Sequence, residues 1–360
     1  MGLGDLLRRA GRPSDEGPYM YPLERSNDRH LDGDYEGPLF VWDIDKTYLV
    51  SEFDSLKGLL TIPFEFAVDK RAIAGTDVLL RALRAGPGED HASHPLYFIS
   101  ASPPQLRKAI QGKMLMDGVE FDGITFKDQL AILRSRKVGR IKEQIGYKLS
   151  ALLQNRQELP WGAREFLFGD DSEADAVIYA LYADIVAGRL RGSDLDASLR
   201  HVGVDPEDAA YITELSINLP RAELVQRIYI HLEKRTSPAT FAPWGDLLVP
   251  CFDTLQMALH LHQQALVSPQ AVYDVAANLV HVHGRAPVAL LRSIVDMLER
   301  RRLAPEALAP VWDGLRSRSL LPSYVAFDLD AAAERAPVEA RPAGDFRTPL
   351  EHLALTKPRA

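Results

Sequence analysis

Between residues 38 and 195 the chain alternates short apolar runs with longer stretches of helical spacing, and this alternation limits the fold more than any other feature. The runs "PLFVWD", "PLYFIS", "FDGITF" and "REFLFGD" are mainly apolar and show no steady polar alternation, so each reads as a strand buried on both faces. Helical stretches lie between and after them: "AGTDVLLRALRA", "PPQLRKAIQGKMLMD", "IKEQIGYKLSALLQN" and "EADAVIYALYADIVAGRL". Strands and helices in this order build βαβ units, and hence an α/β, Rossmann-like parallel sheet with helices on both faces over residues 38–195.

A length of 360 residues suits about two domains. Residues 1–37 are rich in Gly, Pro and charge and read as an N-terminal arm. After residue 196 strand-like runs give way to helical spacing in "PEDAAYITEL", "PRAELVQRIYIHLEK", "DTLQMALHLHQQAL" and "PVALLRSIVDMLERRR", so an all-helical domain is expected over 196–330. Residues 331–360 mix Ala, Pro and charge and read as a mobile tail. The 46% apolar and 26% charged content is that of a folded globular chain. A net charge of -8 offers no general attraction to nucleic acid or anionic lipid, and no nucleic-acid partner is expected. Cys251 is the single cysteine, which excludes an internal disulfide and a cysteine metal site and fits a reducing, cytoplasmic setting. "LLVPCFDTLQMALHLHQQALV" is broken by Pro250, Asp253 and two histidines, so no transmembrane segment is expected.

Three of the strands close on polar groups able to do chemistry. Asp43 and Asp45 follow "LFVW", Ser100 follows "LYFI", and Asp170, Asp171 and Asp175 fall in "FLFGDDSEAD". The carboxyl ends of parallel strands form the ligand crevice of an open sheet, so these side chains can converge from distant positions. Converging carboxylates repel one another and resist leaving water unless a positive charge sits among them. A hard divalent cation such as Mg²⁺, which prefers oxygen ligands, meets that need.

The ordered set Asp43-Ile44-Asp45-Lys46-Thr47, Ser100, a following lysine and Gly169-Asp170-Asp171 resembles the four motifs of the haloacid dehalogenase superfamily of phosphohydrolases. Within it, "YFISASPPQL" and "LFGDDSEADAVIY" look most like the catalytic domain of the phosphatidate phosphatases typified by the actin-patch protein. The resemblance implies an Mg²⁺-dependent phosphomonoester hydrolase working through an aspartyl-phosphate on a bulky substrate such as a lipid phosphate, with a phosphoprotein close behind. Asp43 would be the nucleophile and Asp45 the general acid and base. Thr47, Ser100, the backbone of Ala101 and a lysine would hold the phosphoryl oxygens. Lys148 in "GYKLSALL" is the chosen lysine, with Lys127 and Lys142 as competitors. The candidate metal set is Asp43, Asp45 and Asp170, with Asp171 or Asp175 as the further acid. The stretch "SEFDSLKGLLTIPFEF" leaves room only for a flap or small cap.

Each motif alone also has a structural explanation. An Asp after a strand commonly caps the next helix, which would make "GDDSEADAVIYALY" an ordinary helix start. It is the order of the motifs and their strand context that favour catalysis. The alternative reading is a protein-interaction scaffold carrying a vestigial phosphatase-like domain. The pairs His260/His262 and His281/His283 sit two apart, which on a helix places them on different faces, so they read as polar or core histidines. Arg300, Arg301 and Arg302 read as the cationic end of a helix, Met114 and Met116 as packing, and Trp42 as buried against a covering helix.

Overall fold

The structure is a computed structural model that describes residues 21–50, 71–127, 140–172, 174–219 and 221–323, without the side chains of 140–143. The flap stretch, the tail over 331–360 and most of the N-terminal arm lie outside these residues. Seven strands form one sheet: β1 (Leu23–Asn27), β2 (Pro38–Asp43), β3 (Leu96–Ser100), β4 (Gly123–Lys127), β5 (Arg164–Asp170), β6 (Val225–His231) and β7 (Leu248–Cys251). Their order is β1-β4-β3-β2-β5-β6-β7, with β1 antiparallel to β4 and the other neighbours parallel. The described helices include α1 (Thr76–Ala85), α2 (Arg107–Met116), α3 (Arg140–Glu158), α4 (Asp175–Ala187), α5 (Gly192–His201) and α6 (Pro206–Leu215). After β7 come α7 (Thr254–Gln263), α8 (Pro269–Ala277), a π-helical turn (Asn278–Val282), α9 (Pro287–Glu299) and α10 (Pro305–Ser317).

Strand alternation divides the core in two. Phe40, Trp42, Phe98, Phe168 and Tyr229 face one side and pack with residues of α1, α2 and α7 to α10, such as Leu80, Ile110, Leu259 and Ile294. Leu39, Val41, Ile99, Leu167 and Ile230 face the other and pack with α3 to α6 through Tyr147, Leu153, Ile178 and Leu199. Every residue of β2 is buried, as continuous apolar strands covered on both faces require. On the first face, Trp42 stacks on Phe168 at 4.1 Å between ring centroids, and Phe168 on Tyr229 at 4.7 Å. Trp42 is therefore part of an aromatic ladder across β2, β5 and β6.

Two expectations from sequence are corrected. The arm over 1–37 contributes an edge strand, β1, whose half-exposed "LERSN" has no apolar alternation to reveal it; its pairing with β4 is a backbone interaction. The stretch from 196, expected to be all-helical, supplies β6 and β7 to the same sheet. In "LVQRIYIH" the apolar positions suit either period, and the Val, Ile and Tyr content favours the strand once β5 lies alongside. Pro250 is accommodated in β7 because β7 is an edge strand. Among the described residues no helix is long and apolar enough to cross a membrane.

His260 carries a pH prediction. It is buried on α7, with its Nδ1 3.0 Å from the Tyr229 hydroxyl, and burial pulls its pKa from 6.5 to about 3. Between these values the unfolded chain takes up a proton that the folded chain refuses, so stability is lost as pH falls through that window. Denaturant midpoints between neutral and acid pH should fall less steeply for His260→Gln, which does not titrate, than for the wild-type protein.

Candidate active site

The chain runs from β2 outward to β3 and β4, then returns to β5 on the other side of β2. The carboxyl ends of β2 and β5 therefore flank the switch point of the sheet, where open α/β folds place their ligand crevice. Asp43 ends β2, Asp170 ends β5, Ser100 ends β3, and Asp175 opens α4.

Asp43, Asp170 and Asp175 are fully buried, and each offers a carboxylate oxygen within 4.8 Å of the others. At such a separation each pair of like charges repels by about 3 kcal/mol at an effective dielectric of about 20. Lys148 on α3, also fully buried, partly offsets this charge: its Nζ lies 2.9 Å from Asp43 Oδ1 and also pairs with Asp175. Among the described residues the group thus brings three carboxylates to one ammonium. The group contains oxygen donors and no histidine or cysteine, so it could hold a hard cation. Gly169 is part of the design, because a Cβ there would collide with the Asp175 carboxylate, which also accepts from the Asp170 backbone N-H at 3.2 Å.

Asp45 is held separately. Ser100 Oγ donates to its Oδ2 at 3.0 Å, and Ser102 Oγ lies 3.0 and 3.1 Å from its two oxygens. The Ser102 backbone N-H donates to Ser100 Oγ at 3.0 Å, which ties the two serines together. Lys46, beside Asp45, adopts φ 61°, a left-handed conformation uncommon for a residue with a side chain. Thr47 Oγ1 donates to Asp43 Oδ2 at 3.4 Å, and Ala101 lies half-buried between the serines. The Tyr147 hydroxyl, which burial keeps protonated, donates to the carbonyls of Ser100 and Thr125 and braces the end of β3.

The structure separates the acids that the sequence grouped. Among the described residues the acidic group is Asp43, Asp170 and Asp175, and Asp45 lies outside it with its carboxylate on Ser100 and Ser102. Asp171 points elsewhere: its Oδ1 accepts from the Lys234 N-H at 2.8 Å and its Oδ2 from the Thr236 N-H at 3.0 Å. It clamps the loop after β6, and Asp175 is the further acid of the group. Lys127 lies over the Tyr147 ring at 5.9 Å, and the side chain of Lys142 is outside the described residues. Ser102 was missed: it follows the end of β3, and the bend of the chain there brings its hydroxyl beside that of Ser100 at Asp45. His281 and His283 are exposed, and His260 and His262 are occupied by Tyr229 and the Val267 carbonyl. Burial pushes the Cys251 thiol up to about 12, which leaves it unreactive.

The two fourth-motif acids separate in a binding experiment. Asp171→Ala should leave any divalent-cation binding of the wild type unchanged and lose about 1 kcal/mol of stability with its loop clamp. Asp170→Ala should weaken divalent-cation binding measured by calorimetry. Fold and site together define an α/β protein with a buried acidic centre at the switch point of a largely parallel sheet. Comparison with protein-family models, with curated proteins and with solved structures found no match to this chain.

Proposed function

We propose that the chain is an Mg²⁺-dependent phosphomonoester hydrolase of the haloacid dehalogenase type. The observation that carries this reading is the division of acids at the switch point: Asp43, Asp170 and Asp175 gathered around Lys148, and Asp45 set apart on two serines. A site built only for stability has no use for that division, whereas hydrolysis through a covalent intermediate needs both parts.

In this reading an Asp43 oxygen attacks phosphorus in line, the bond to the ester oxygen breaks, and Asp45 gives that oxygen its proton. Asp45 then takes a proton from water, which attacks the aspartyl-phosphate and frees Asp43 and inorganic phosphate. Lys148 stays beside Asp43 and offsets the charge that gathers there. Ser100 and Ser102 fix the direction in which Asp45 delivers and receives the proton. Thr47 and the Ala101 backbone border the phosphoryl group. Bound Mg²⁺ would supply the positive charge that the three buried acids and the phosphoryl oxygens share. A bulky phosphate ester is the favoured substrate, a lipid phosphate being one candidate from the motif resemblance.

The test is hydrolysis of a chromogenic aryl phosphate with Mg²⁺ and with chelator. Turnover should require the cation and fall to background in Asp43→Asn. Equal rates in the wild type and the variant would leave the scaffold reading in possession.

A further inference from the structure

A cleft of about 610 Å³ opens beside the loop that follows β2, and its walls come largely from outside the motif-bearing segments. His231, the last residue of β6, belongs to both places: it lines the cleft, and its Nδ1 lies 3.3 Å from the Lys46 carbonyl next to Asp45. The cleft therefore opens next to the loop that carries Asp45.

The charge of the cleft is not balanced. Lys113 is paired with Asp117, Arg285 with Asp253 and Asp77 with Arg81, which leaves Arg71, Arg235 and Glu233 as the lining charges without an ion pair among the described residues. Arg235 is held in an unfavourable conformation, φ 54°, in the loop whose Lys234 and Thr236 N-H groups are gripped by Asp171. The clamp fixes the backbone from which the exposed Arg235 side chain projects. The π-helical turn, an element that recurs at functional sites, brings Asn278 and Val282 to the same cleft. Asn278 lines the cleft, and its Oδ1 is buried and meets no donor from the described residues.

From these features we infer that Arg71 and Arg235 form a subsite for a second anionic group, so that the substrate is a phosphomonoester carrying another phosphate or carboxylate at its far end. The inference rests on the phosphohydrolase reading for the first group and narrows the substrate class from bulky phosphate esters to doubly anionic ones. Asp171 acts in it as a positioning residue for Arg235.

The experiment measures affinities of the full chain, by calorimetry with Mg²⁺, for non-hydrolysable α,ω-alkane bisphosphonates of increasing length and for alkyl monophosphonates of matching length. A bisphosphonate of fitting length should bind about tenfold or more tightly than its monophosphonate, the return expected of a charge-assisted arginine contact. Arg235→Gln and, independently, Arg71→Gln should bring that ratio close to one, and Asp171→Asn should lower it. Equal affinities in the wild type, binding of neither probe, or a bisphosphonate preference untouched by both arginine substitutions would overturn the subsite. Monophosphonates that gain affinity steadily with chain length would overturn it in favour of a lipid phosphate. The hydrolase reading fails by a different sign, undiminished aryl phosphate turnover in Asp43→Asn, so the two outcomes are read separately.

Discussion

An Asp45→Asn protein given an aryl phosphate and Mg²⁺ is expected to accumulate phosphate on Asp43 and to turn over roughly a hundredfold or more slowly than the wild type. An aryl oxide leaves readily, so the first displacement hardly needs a proton donor. The second displacement needs a base for its water, and the amide cannot serve. Ser100 and Ser102 still find a carbonyl oxygen at the substituted residue, so the local arrangement survives while the proton acceptor is lost. Acid-quenched protein analysed by mass should show the phosphorylated chain in Asp45→Asn and none in the Asp43→Asn, Asp45→Asn double variant. Wild-type turnover in Asp45→Asn would remove that residue from the mechanism.

Lys148→Met should be the most damaging single substitution for stability. The side chain is fully buried and pairs with Asp43 and Asp175, so its removal takes a buried positive charge from beside three buried carboxylates. Breaking a buried ion pair from one side costs about 3–5 kcal/mol. The loss should be largest in chelator and smaller in Mg²⁺, because a ligand that binds only the folded chain adds about 2.7 kcal/mol at a hundred times its Kd. Denaturant midpoints of wild type and variant, each with chelator and with Mg²⁺, form the measurement. The same loss in both conditions would mean that the cation and the lysine do not act on the same acids.

The parts of this fold that read directly from sequence are those where local pattern and tertiary setting agree. "PLFVWD" and "REFLFGD" are strands by composition and are covered on both faces. The same runs end in acids, and parallel pairing brings those ends together, so Asp43 and Asp170 are legible as neighbours from the sequence. "LVQRIYIH" misled because its apolar residues fit two periods, and only the neighbouring β5 makes the extended form the better one. Nothing in "LERSN" announces an edge strand, whose bonds run through the backbone alone.

Within the site, sequence could name Asp171 and Asp175 but could not choose between them. The choice depends on where the chain turns after β5: α4 swings Asp175 back over Gly169, while Asp171 is drawn away by the N-H groups of a loop some sixty residues on. Ser102, Arg235 and Asn278 belong to the same category, since each acquires its place from a turn, a clamp or a π-helical bulge. Sequence by itself determined the kind of element and the acids at the strand ends, because periodicity and residue chemistry are local properties. Tertiary structure alone decided which acids meet, which one stands apart and what lies beside them, because those are set by distances between segments that no local pattern encodes.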